Sequence, residues 1–176
     1  MSAAPAVPRV EVLGDGALRS AVSAALRSTA PPVEPAACVV PRVPDPAPLA
    51  ELTDERLATD VGDALDAVLA AVQRALPALR GGGRLVVVLP HAPLMGAAGL
   101  GAAAAVAGGV LSLARTLAIE LARDGITVNV VALDAARPAE AALAGHLAAL
   151  LGPGGEAVTG QETYLTAGTD LGRLRP

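Results

Sequence analysis

The chain of 176 residues has no lysine, phenylalanine or tryptophan, one tyrosine (Tyr164), one cysteine (Cys38) and one asparagine (Asn129). Each scarcity excludes something. A single cysteine rules out an intrachain disulfide and a cysteine-based metal cluster, and its apolar neighbours predict a buried, unreactive thiol. With almost no aromatic rings there are few platforms on which bases could stack. The net charge of −4, with the arginines scattered, gives no footprint for nucleic acid. Asp60, Asp63 and Asp66 read as a solvated helix face rather than a metal site, so no metal is expected. The N-terminal sequence Met-Ser-Ala-Ala-Pro has neither a basic leader nor an apolar signal core, so a cytoplasmic protein is expected.

What is abundant is Ala, Val, Leu, Gly and Pro. The uncharged run from Leu85 to Ala114 is long enough to span a bilayer, but Pro90, His91 and Pro93 interrupt it and its second part is Gly- and Ala-rich. A buried strand, a turn and a close-packing helix are expected there instead, and no membrane partner.

The length suits one domain, residues 1–176. Hydrophobic periodicity predicts strands at 9–13, 37–40, 85–89, 126–133 and 162–166. It predicts helices at 17–27, 53–79, 98–123 and 138–151. Pro-rich breaks fall at 29–35 and 41–48. Thr53 with Asp54 and Glu55 is a helix start, and Gly81-Gly82-Gly83 a stop, with Pro77 able to end or kink the last turn. Strands alternating with helices at this spacing imply a mostly parallel sheet in a three-layer α/β sandwich.

Four blocks occur in a telling order. They are Gly83-Arg84-Leu85-Val86-Val87-Val88, Gly108 to Ala122, Gly125-Ile126-Thr127-Val128-Asn129-Val130-Val131-Ala132, and Val158-Thr159-Gly160-Gln161. Together they resemble the second half of a short-chain dehydrogenase/reductase, nearest in wording to the beta-ketoacyl-carrier-protein reductase branch. The resemblance implies a truncated Rossmann-like fold in which Arg27 to Ala37 is too short for the family's second and third strands.

Carried over residue by residue, the resemblance puts the family's catalytic Ser at Pro90, its Tyr at Ala103 and its Lys at Ala107. Its relay Asn falls near Ala64. The family's Tyr is a general acid tuned by the Lys, and alanine supplies neither function. The first-turn glycine motif is reduced to Gly14-Asp15-Gly16, several residues short, with an acid where phosphates would lie. No catalytic set and no cofactor are therefore expected.

The remaining polar candidates for a reused cleft are His91, Asp134 and Tyr164. His91 also reads as a turn residue, His146 as a surface residue, Tyr164 as a packed ring, and Asp60, Asp63 and Asp66 as a solvated helix face. In the family the helices matching 53–79 and 98–123 pair with those of a second subunit. Leu65, Val68, Leu69, Val72, Ala105, Gly109 and Leu113 are the corresponding interface candidates, toward an active homologue or a second copy of this chain. The resemblance thus implies a noncatalytic subunit in fatty-acid or polyketide-type metabolism. A small-ligand binder or enzyme using other cleft residues is the alternative, and a residual NADPH-dependent ketoreductase comes third.

Overall fold

The computed structural model describes residues 10–30 and 35–168. Five strands form one sheet: β1 (Val10–Leu13), β2 (Ala36–Val39), β3 (Arg84–Pro90), β4 (Thr127–Leu133) and β5 (Glu162–Leu165). They lie in the order β1-β2-β3-β4-β5, and every pairing is parallel. The helices are α1 (Arg19–Arg27), α2 (Asp54–Leu57), α3 (Asp63–Leu79), α4 (His91–Met95), α5 (Gly101–Glu120) and α6 (Glu140–Leu151). All five predicted strands and all four predicted helices have counterparts. Arg9 and 31–34 lie outside the described residues.

The strands read as apolar runs because both faces of the sheet are covered. Alternate residues face opposite layers. Leu85, Val87 and Leu89 pack under α3 and α5 with Val68, Val72, Val106 and Val110. Val86 and Val88 face α1 and α6, against Val22, Leu143 and Leu147. That is the expected three-layer sandwich. β2 pairs directly with β1, in parallel.

The layer assignment has a topological consequence. Each successive parallel strand is added on the same side of the last, so the face a connecting helix covers sets the hand of its crossover. Here α1 and α6 cover one face, α3 and α5 the other. Two crossovers therefore have one hand and two the other, although parallel crossovers are overwhelmingly right-handed.

Three details differ from expectation. The helix predicted over 53–79 contains a wide π turn at Ala58–Gly62 between α2 and α3. This extra residue rotates the preceding turn, and Leu57, placed by its spacing on the core stripe, is 37% exposed. Thr53 does cap the helix, its hydroxyl accepting from Arg56 N–H at 3.1 Å, and Pro77 neither ends nor shortens it. The stretch after β3, expected as a turn, forms α4, with Pro93 tolerated in its first turn. The helix predicted over 98–123 starts at Gly101 and tightens to a 3₁₀ turn at Leu121–Asp124.

Among the described residues, one helix, Gly101–Asp124, is long and apolar enough by length and composition to cross a membrane. Within the fold it is a core helix, burying Ala102, Ala103, Val106, Ala107, Val110, Ala114 and Ala118.

Candidate functional site

A parallel sheet brings the carboxyl ends of all its strands to one edge, where ligands of open α/β folds bind. A cleft of about 400 Å³ at this edge lies between the ends of β1 and β2 and the first turns of the long helix. Asp15, Arg42 and Asp45 enter it from the loops after the strands. Arg56, Thr59, Asp60 and Asp63 enter from α2, the π turn and α3. Four carboxylates stand against two guanidiniums, a net charge of two negatives in the lining. Arg56 Nε donates to Asp60 Oδ2 at 3.1 Å and its Nη1 lies 4.0 Å from Glu51 Oε2, so its charge is already shared among acids. Composition alone did not single out Arg42, Arg56 and Thr59. Their signal is positional, each lying near a strand's carboxyl end or on the helix that faces it.

Asp15 of the Gly14-Asp15-Gly16 turn lines this cleft, and the turn is bonded to the end of β2. Val40 N–H donates to Leu13 O at 2.8 Å and Gly16 N–H donates to Val40 O at 3.1 Å, extending the β1–β2 ladder into the turn. Gly14 has φ +86°, and a Cβ there would collide with the Val40 carbonyl; one on Gly16 would strike the Pro41 carbonyl. Only glycine permits this approach. From the first turn of α1, Arg19 Nη1 donates to Val12 O at 2.9 Å and also to Gly14 O.

Pro90 is the last residue of β3 and caps α4. Ala103 and Ala107 are 2% and 0% exposed, so neither opens on a cleft.

The three alternative cleft residues are not gathered into one site. Pro90 pairs with Leu133, so His91 and Asp134 leave neighbouring strands at the same level, whereas Tyr164 lies opposite Ala132 on the outer strand β5. A smaller cleft of about 220 Å³ includes Asp134 with Arg137, Ala139, Leu165, Thr166 and Ala167, but neither His91 nor Tyr164. Asp134 is occupied locally: Oδ1 accepts from Ala136 N–H at 2.9 Å and Oδ2 lies 3.7 Å from Arg137 Nε. Such an Asx turn shapes a loop. Tyr164, expected as a packed ring, is 36% exposed, because β5 is an outer strand of the sheet.

Of the interface candidates, Val68 and Val72 are not available to a partner, contrary to expectation, because they are buried in the chain's own core. Their apolar spacing marks the stripe facing the sheet. Leu65 is half-buried and packs across to Gly109, where an added Cβ would lie 3.4 Å from Leu65 Cδ2. Leu113 is also half-buried, while Leu69 and Ala105 face outward. His146, expected at the surface, is half-buried with Nε2 lacking a hydrogen-bond partner, and burial lowers its pKa. No group of three or more His, Cys, Asp or Glu among the described residues is placed to hold a metal ion.

Residues 22–146, well over half of the chain, match the protein family described as Enoyl-(Acyl carrier protein) reductase. The chain is similar in structure to a dehydrogenase/reductase from Sinorhizobium meliloti 1021, with 24% identity and a TM-score of 0.66 over 78% of this chain and 64% of that one. A short-chain dehydrogenase/reductase from Serratia marcescens BCRC 10948 aligns with 21% identity and a TM-score of 0.64, over 76% and 65%. The short-chain dehydrogenase/reductase (glucose/ribitol dehydrogenase) from Brucella melitensis gives 24% and 0.64, over 84% and 69%. The chain spans just under two thirds of the length of the first two. No curated protein matches it. The parallel sheet, its helical layers and the family match together place this chain in the short-chain dehydrogenase/reductase family.

Proposed function

We propose that this chain is a noncatalytic subunit that pairs, through its two long helices, with an active short-chain dehydrogenase/reductase in the cytoplasm. The observation that carries the reading is chemical: alanine stands at 103 and 107, where the family's resemblance puts its proton-donating Tyr and its Lys. The sequence contains no lysine that could substitute. General acid catalysis requires a group within hydrogen-bond reach of the proton's destination. The pairing is supported by the outer stripe of α5. Ala105, Gly108, Ser112, Thr116 and Ile119 are exposed and uncharged, and Ile119 is 79% exposed beside a neighbouring helix that presents Leu69. Small residues permit close helix approach, and an uncharged strip beside exposed leucine and isoleucine favours a protein neighbour. The family's acyl-carrier description supports a fatty-acid or polyketide-type setting.

Co-expression with a homologue from the same genome that carries Tyr-x-x-x-Lys tests the pairing. The two chains should co-elute at a defined ratio, and Leu69→Asp with Ala105→Asp should abolish co-elution without lowering the melting temperature. A self-association that the same substitutions abolish would identify the partner as a second copy. Elution as a monomer, unaffected by the homologue, would overturn the proposal.

The 400 Å³ cleft favours a second reading, a binder of a small ligand of other chemistry. It would use Asp15, Arg42 and Asp63 in place of His91 or Tyr164. Residual ketoreduction, the third reading, is tested by NADPH oxidation in the presence of an acetoacetyl thioester, and none is expected.

A further inference from the structure

The family's cofactor is a nicotinamide dinucleotide, and the residues at the carboxyl edge do not fit it. We infer that the first turn of this chain has been converted from a phosphate cradle into a clamp that binds β1 directly to β2, and that the crevice beside it excludes the dinucleotide. Three independent observations converge on this. First, a phosphate-binding turn must aim free backbone N–H groups at the anion. Here the Gly16 N–H is consumed by Val40 O, and the Gly14–Gly16 backbone lies against Val40 and Pro41, which are themselves buried. The glycines are required, but for contact with the neighbouring strand. Second, the Arg19 guanidinium, a cation at the start of α1 that would suit a phosphate, turns back to the carbonyls of Val12 and Gly14. Third, the adjoining cleft is lined by Asp15, Asp45, Asp60 and Asp63 against two arginines, so a pyrophosphate would enter a negative site.

The clamp also has a cause in the fold. With β2 paired directly to β1, the turn between β1 and α1 abuts the end of β2, and the ladder runs on through the turn where a crevice would otherwise open.

This inference goes beyond the partner reading and stands or falls separately from it. Isothermal titration of the full chain with NADPH, NADP⁺ and inorganic pyrophosphate should show no saturable binding up to about 1 mM. The triple variant Asp15→Asn, Asp45→Asn, Asp63→Asn removes the repulsion and should remain just as blind to NADPH, because the Gly16 N–H stays bonded to Val40 O. Gly16→Ala should lower the yield of folded protein and the melting temperature, and Arg19→Met should lower the melting temperature while leaving binding absent. Micromolar NADPH binding by the wild-type chain would overturn the inference, even if the chain still co-eluted with its homologue. Binding gained by the triple variant would overturn the clamp, since charge alone would then be the barrier. A Gly16→Ala protein melting at the wild-type temperature would do the same.

Discussion

Cys38 lies in the middle of β2 with its sulfur sealed on the α1 and α6 side of the sheet. Burial pushes its thiol up to about 12, because the interior penalises the thiolate. It should resist a soluble disulfide reagent at pH 8 and react in full only once denaturant exposes it; fast labelling of the native chain would contradict the fold as described. Asn129, the only asparagine, is likewise structural. Its Nδ2 donates to Val158 O at 2.8 Å and its Oδ1 accepts from Gln161 N–H at 3.1 Å, fastening the Thr159-Gly160-Gln161 turn to β4. Asn129 is itself buried, and Asn129→Ala, which removes two hydrogen bonds to a partly exposed turn, should cost about 1 kcal/mol in denaturant unfolding. At this scale the sequence was partly legible. The apolar setting of Cys38 announced burial, and the Thr-Gly-Gln wording announced the turn. Nothing in the spacing of His91, Asp134 and Tyr164 said that they would be dispersed, since each depends on where a different strand ends.

Among the elements, periodicity identified the long helices but not which of their faces a partner could reach. Val68 and Leu69 are adjacent in sequence and opposite in role: one packs under the sheet, the other is 42% exposed. Val72→Ala should therefore cost about 2–3 kcal/mol through lost burial and a residual cavity. Leu69→Asp should shift stability by no more than about 0.5 kcal/mol while abolishing association. Paired unfolding curves and size-exclusion profiles separate the two. The π turn at Ala58–Gly62 was illegible because Leu57, Val61 and Leu65 keep helical spacing whether or not an extra residue widens the turn between them. The short α4 was hidden by its two prolines, Pro90 and Pro93, which read as breakers yet sit where a helix start tolerates them.

For the whole molecule, the strands lie in the order of the sequence, β1-β2-β3-β4-β5. The doubly wound arrangement places its strands in the order 3-2-1-4-5-6. Removing strands 2 and 3 leaves 1-4-5-6, the order of β1 to β4, with β5 extending the sheet by one more strand; the helix after the first strand is then on the face opposite α3 and α5. That accounts for the uncommon hand of the β1-α1-β2 connection; the hand of the last crossover, through α6, has no such explanation. Stability should also respond to pH through α6. His146 is partly buried and its pKa is lowered by desolvation, so the folded state binds fewer protons than the unfolded one at mildly acidic pH. The folded chain should hold its stability above pH ~6.5, the unfolded histidine's range, and lose a modest part of it as the pH falls below that. His146→Gln should flatten that part of the melting-temperature profile; an unchanged profile would assign the acid sensitivity to other groups.

The directness of the β1–β2 pairing leaves β1 on the flank of the described sheet, with Glu11 exposed between the half-buried Val10 and Val12. An outer strand of valines is a nucleus for intermolecular pairing, and one charge in its middle is a common safeguard. Glu11 sets a charge in the middle of that outer strand, where it opposes the addition of a further strand.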